Sequence, residues 1–304
     1  MSVTSHWIIN IEATKTAISK IRELDLRLTT IEKIKELLIT VLYGYTVSAP
    51  RFPPGINLFR LIIRDKPSHM SGLSYPPPQL TPLGRVNRPG SPVFYCCTSK
   101  EATFFEIQPT KGQTVVISQW ITTAPMMVNH VGYTEPTFKA LGSKRPHAGW
   151  SSEPAFIPGD NANRFIAEFL SEAFARRVAV DSEYEYILTI AIAEKLFSHG
   201  LFDGLLYPSI ALWANADNFA LKANYVDNNL RFIKAEYAGI NDVQDNLFKV
   251  TPLDTATELS ADGTIVWKGR PDQWVIRPGE QFKFAAENGK WVVRDAFGKI
   301  VDPQ

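Results

Sequence analysis

The chain has 304 residues, 45% of them apolar and 21% charged, and a formal net charge of +1. That length supports a large buried core, as one big domain or one domain with an appendage. The near-zero charge removes any whole-chain argument for direct binding to nucleic acid or an acidic membrane surface.

The first residues, "MSVTSHWIINIEATKTAISK", lack the basic segment, apolar run and small-residue cleavage site of a secretory signal. No window reaches the roughly eighteen consecutive apolar residues of a spanning helix, so a cytoplasmic protein without membrane contact is expected. Residues 12 to 43 read as one helix, with Ile18, Ile21, Leu24, Leu28, Ile31, Ile34, Leu38 and Val41 at three- and four-residue steps. Such a stripe has to be covered, by the protein's own core or by a homodimer or partner helix.

From residue 48 to 92 the chain is rich in proline and glycine, with "SAPRFPPG" and "SYPPPQLTPLG" on either side of the strand-like "NLFRLIIR". Long irregular loops in a compact domain tend to be functional. Next come "SPVFYCCT" as a strand, "SKEATFFEIQ" as a short helix capped by Ser99 or Thr98, and "QTVVISQW" as a strand. The adjacent Cys96 and Cys97 point to opposite faces of their strand, which makes them buried reduced thiols rather than a disulfide. With five scattered histidines and no CxxC, no zinc spacing is visible and no metal is expected.

Residues 121 to 158 carry no clear period. "DNANRFIAEFLSEAFARRV" reads as a helix with Phe165, Phe169 and Phe174 on its apolar side and Asp160 as cap, and "SEYEYILTIAIAEKLFSHG" as a helix opening on a capping box, Ser182 and Glu185, and stopping at His199-Gly200. "FDGLLYPSI" is a short strand and turn. Beyond about residue 240, Asp262-Gly263 and Asn288-Gly289 lie between β-like runs, which predicts a pair of hairpins.

The common nucleotide, hydrolase and metal motifs are missing: no GxGxxG, P-loop, GxSxG, HExxH or EF-hand loop occurs. A scattered set remains, comprising Arg60, Arg85, Tyr95, Glu106 and Ser209. Each has an innocent reading alone: a surface ion pair for Arg60, a core phenol for Tyr95, a turn after Pro208 for Ser209. Glu106 fits such a reading least, because a carboxylate directly after Phe104 and Phe105 needs a partner or an exposed face.

Taken together, "LFRLIIR", "GRVNRPGSPVFYCCTSKEATFFEI" and "DGLLYPSIALWANADNFAL" resemble the RES family, named for an arginine, a glutamate and a serine, over about residues 56 to 222. Val86 stands where an aromatic is usual. The resemblance implies an α+β, ADP-ribosyltransferase-like fold, a split β core with flanking helices, taken here as 48–244; the helical stripe makes 1–47 an extension before it, and the hairpin signals make 245–304 a small β appendage after it. It implies NAD+ as substrate, cleaved at the nicotinamide–ribose bond by a glycohydrolase or phosphorylase that acts as a toxin and is checked by a helix-turn-helix antitoxin. Transfer of ADP-ribose to a protein, or a catalytically silent binding module, are the alternatives.

The resemblance further implies Glu106, Ser209 and Tyr95 as the catalytic set, and Arg60, Arg85, Asn87, Tyr95 and Ser209 as NAD+-binding residues. The chemistry agrees. Guanidinium groups pair with diphosphate oxygens, and a carboxylate beside the ribose offsets the positive charge of an oxocarbenium-like transition state.

Overall fold

The computed structural model describes residues 9–46, 51–143, 161–198, 200–244 and 247–272, and the backbone of two strands at 283–287 and 290–294. Among these residues, seven α-helices accompany a ten-stranded and a two-stranded sheet, so the chain is α+β. No helix among them is long and apolar enough to cross a membrane.

The large sheet contains β1 Arg51–Phe52, β2 Asn57–Ile63, β3 Val93–Cys97, β4 Thr114–Thr122, β5 Met126–His130, β6 Gly204–Pro208, β7 Asp217–Lys222, β8 Leu230–Gln244, β9 Leu247–Leu259 and β10 Ile265–Trp267. Their spatial order is β1-β5-β6-β7-β3-β2-β4-β8-β9-β10, with only the β5–β6 pair parallel. The helices are α1 Ile11–Glu23, α2 Ile31–Leu42, α3 Lys100–Ile107, α4 Glu135–Leu141, α5 Asn161–Ala175, α6 Tyr186–Phe197 and α7 Ala223–Asn229.

Strand residues divide between two packing groups with period two, as pleated geometry requires. Val93, Leu205, Tyr207 and Ala220 pack with Ile18, Ile34, Leu38, Phe169, Phe174 and Ile192 of the helical layer. Their sequence neighbours Phe94, Leu206, Phe219 and Leu221 pack on the other group, with Phe52, Trp120 and Met126. A third group, Leu61, Val115, Ile117 and Phe248, receives Phe104 of α3.

The middle of the sheet is split. β2 lies against β4 along its length, from Asn57 opposite Ile121 to Ile63 opposite Val115. Against β3 it is paired only at Phe59 and Cys97. Beyond that point the two strands part, and Arg60 sits at the parting.

Some expectations change and others are narrowed. The stretch at 12 to 43 is two helices, α1 and α2, broken where Leu24 turns extended, the Asp25 carboxylate accepts from the Arg27 N–H at 2.9 Å, and Thr30 caps the second helix. The stripe is covered by the protein's own core, since Ile18, Ile21, Ile34, Leu38 and Val41 are buried, and Leu28, in the break, is exposed. Ser182 and Glu185 do not form a capping box: residues Val180–Glu185 are a 3-10 turn and Glu185 pairs with Arg176 at 3.5 Å. The unassigned region after residue 121 contains β5 and α4. The expected cap Asp160, the stop residue His199 and the Asn288-Gly289 turn lie outside the described residues.

The hairpin around Asp262-Gly263 exists as β9–β10, but it is hydrogen-bonded to β8 and continues the large sheet. β11 Lys283–Glu287 and β12 Lys290–Arg294 form the second hairpin. Cys96 and Cys97 are free and buried.

Candidate active site

Glu106 stands in the last turn of α3, an unfavourable place for a carboxylate, since that end of a helix carries negative partial charge. The helix is pinned elsewhere. Ser99 caps its first turn, Lys100 reaches the buried Glu236 at 3.0 Å, and Phe104 and Phe105 each lie 5.6 Å from the ring of Phe248. With both rings anchored, the next residue around the helix is carried to the exposed side.

There Glu106 meets two donors brought from more than a hundred residues away. Asn218 Nδ2 donates to Glu106 Oε1 at 2.8 Å, and Ser209 Oγ donates to the same oxygen in a short hydrogen bond. Ser209 in turn accepts from the Leu212 N–H at 3.1 Å, so the turn after β6 fixes its rotamer. The Cys97 thiol donates to Asn218 Oδ1 at 3.0 Å, which fixes the sense of the amide. Burial holds that thiol well above its ordinary pKa and keeps it a donor. Glu106 Oε2 has no partner among the described residues.

This carboxylate opens on a cavity of about 310 Å³, at the lower end of the range for small-molecule sites. Arg60, Arg85, Tyr95, Cys97, Tyr186, Tyr207 and Asn218 also line it. Arg60 Nη1 donates to the Tyr95 carbonyl at 2.9 Å across the split between β2 and β3, and its guanidinium lies 5.5 Å from the Phe94 ring centroid. Its Nε is buried without a partner. No acidic group pairs with it among the described residues, and burial lowers its pKa. A guanidinium stays charged all the same, and an uncompensated buried charge is costly.

Arg85 is at the tip of a tight turn closed by Gly84 N–H to Asn87 O at 3.0 Å and Asn87 N–H to Gly84 O at 3.4 Å. Its guanidinium donates to the carbonyls of Phe174 and Arg176, both at 3.2 Å, at the end of α5, and stacks 5.3 Å from the Tyr186 ring centroid. Glycine is required at 84, because a Cβ there would lie 2.4 Å from Asn87 Oδ1 and 2.8 Å from the Tyr95 hydroxyl.

Tyr95 and Asn87 hold this turn. The Tyr95 hydroxyl donates to Asn87 Oδ1 at 2.7 Å and accepts from the Val86 N–H at 3.0 Å, while Asn87 Nδ2 donates to the Pro82 and Arg88 carbonyls. Burial raises the Tyr95 pKa, so the phenol stays protonated. Tyr95 therefore offers the cavity its ring rather than a free hydroxyl. Asn87 is not on the wall, and its amide is fully engaged.

The next arginine ties the turn to the helical layer. Arg88 Nη2 lies 2.8 Å from Glu194 Oε2 and its Nε donates to the other oxygen; Glu32 of α2 pairs with Arg88 at 2.6 Å and Lys35 with Glu194 at 2.7 Å. Among the described residues of the two proline-rich loops that flank β2, residues 83 to 85 reach the cavity. The loop before them is fastened to the β9–β10 turn, with Met70 N–H donating to Gly263 O at 2.9 Å and Ile265 N–H to Ser68 O at 2.7 Å.

Thus Arg60, Arg85, Tyr95 and Glu106 share one cavity, with Ser209 one hydrogen bond behind it. A family model described as the RES domain matches residues 57–231, more than half of the chain. The chain belongs to the RES domain family. The matched RES region runs from β2 to the start of β8 and contains every residue of the cavity wall, whereas α1, α2, β9 and β10 lie outside it. No curated protein matches the chain.

The sequence reading placed Asn218 and Tyr207 in the closing motif and gave neither a role. The signal was present in the strand period, which puts Tyr207 two positions before Ser209. Among the described residues, no three His, Cys, Asp or Glu side chains converge as metal ligands would.

Proposed function

We propose that this protein cleaves the nicotinamide–ribose bond of NAD+, as a glycohydrolase or phosphorylase, and that it acts as the NAD+-depleting toxin of a toxin–antitoxin pair. The observation that carries this reading is the content of one cavity: among the described residues, two guanidinium groups without acidic partners and one carboxylate with a free oxygen. The guanidiniums suit a diphosphate, and the carboxylate suits a sugar that becomes cationic.

In this reading the C1′–N bond breaks with its electron pair passing to the pyridine nitrogen, so nicotinamide leaves neutral and needs no strong acid. Glu106 Oε2 faces the positive ribose while Ser209 and Asn218 hold Oε1. Water or phosphate then adds at C1′, and with water the proton released passes to Glu106 or to solvent.

The test is proton NMR of NAD+ mixed with the purified protein, with and without phosphate. Release of nicotinamide is expected, and a sugar product that changes with phosphate separates phosphorolysis from hydrolysis. Absence of release from a folded sample free of any partner would overturn the reading.

A further inference from the structure

We infer that Tyr207 is a further substrate-binding residue of this cavity, its phenolic hydroxyl donating to an oxygen of the nicotinamide-bound ribose. The inference rests on the NAD+-cleavage reading and adds to it a contact that the glutamate, serine and arginines do not supply.

Three tyrosines of the fold spend their hydroxyls on internal partners. Tyr95 donates to Asn87 at 2.7 Å, Tyr133 to the buried Asp217 at 2.6 Å and Tyr225 to the Ala124 carbonyl at 3.0 Å. Tyr207 is only 5% exposed, yet its hydroxyl makes no hydrogen bond to the described residues. Burying a phenol without a partner is unfavourable, and buried tyrosine hydroxyls ordinarily find one. Tyr207 lies on the cavity wall, where a ligand can supply that partner.

The sheet register says what lies beside it. Tyr207 is directly opposite Asn218 in the β6–β7 pair, and Asn218 is directly opposite Cys97 in the β7–β3 pair, so the three form one row across adjacent strands. Directly opposed residues share a face. Asn218 is the residue that holds Glu106 Oε1, which places Tyr207 next to the carboxylate's support. The ring is set by packing against Phe174, centroids 5.7 Å apart, so the hydroxyl is held without spending its own hydrogen bond. Burial, with Tyr95 adding to it, keeps the phenol neutral and therefore a donor. A ribose hydroxyl or ring oxygen beside Glu106 is the acceptor such a donor fits.

Tyr207→Phe removes only the hydroxyl. Nicotinamide release should show a KM roughly five- to ten-fold higher with kcat changed less than about two-fold, the pattern of a contact made equally in ground and transition states. ADP-ribose should bind more weakly by the same factor in calorimetry. The melting temperature of the free variant should be equal or higher, since no hydrogen bond within the fold is lost; a merely structural tyrosine would show the reverse. Wild-type KM and wild-type ADP-ribose affinity in Tyr207→Phe would overturn the inference while leaving NAD+ cleavage standing. A wild-type protein that neither binds nor cleaves NAD+ would overturn the parent reading and this one with it.

Discussion

The side-chain amide of Asn218 donates to Glu106 Oε1 at 2.8 Å, joining β7 to the last turn of α3 across 112 positions of sequence. With Ser209 on the same oxygen, the carboxylate is held at one end and free at the other. A group that must act on a substrate in a defined direction needs that arrangement.

Replacing Glu106 by Gln keeps an oxygen for both donors and removes the charge. Nicotinamide release should fall about 100- to 1,000-fold, the usual cost of losing one electrostatic stabiliser of a transition state. The melting temperature should stay near wild type. Undiminished turnover would show that Glu106 is not the group that meets the ribose cation.

Ser209→Ala removes a donor to Glu106 and an acceptor for the Leu212 N–H in a fully buried site. Both rate and stability should drop, the stability by about 1–3 kcal/mol for the unsatisfied N–H. Calorimetric melting alongside the rate assay separates the two losses; a stable, fully active variant would contradict the assignment.

Gly84→Ala forces a Cβ to within 2.4 Å of Asn87 Oδ1. The turn must open, the Tyr95–Asn87 bond must break, and Arg85 must leave its place. We expect NAD+ affinity to fall at least ten-fold with a destabilisation of about 1–3 kcal/mol. Equilibrium binding and thermal melting check both, and unchanged binding would detach the turn from ligand recognition.

His130 of β5 is 7% exposed with an unpartnered Nδ1, and burial lowers its pKa to about 4. The unfolded chain binds a proton there from about pH 6.5 downward, whereas the folded chain does so only near pH 4, so stability should be lost as pH falls through this window. The loss is on the order of 3 kcal/mol. Melting curves between pH 7 and 4.5 should show this slope in wild type and a flatter one in His130→Leu. Parallel slopes would mean that His130 protonates without unfolding the chain.

The elements around the cavity were the most legible ones. β2, β3, α3 and β4 each carry their own local signal: apolar runs in "NLFRLII", "VFYCC" and "TVVISQWIT", and a serine cap at Ser99. The break between α1 and α2 was hidden because the apolar stripe keeps its step on both sides, and the Asp25 turn and Thr30 cap that make the break are short-range polar signals of the kind that a periodicity count passes over. β8 was missed because Lys234 and Glu236 interrupt its apolar pattern; they are tolerated inside since Glu236 pairs with both Lys234 and Lys100. The Asn218–Glu106 bond and the free Tyr207 hydroxyl depend on strand register between distant segments, which no local pattern encodes.

Arg88 is the hinge pin between two parts of different standing. It belongs to the turn that carries Arg85, inside the RES match, yet one of its partners, Glu32, belongs to α2 outside it. Linkage between such parts runs both ways. Whatever order the docked amino-terminal helices lend to the arginine turn, a ligand gripped by that turn lends back to the docking of those helices, so the two ends of the ion cluster report on each other.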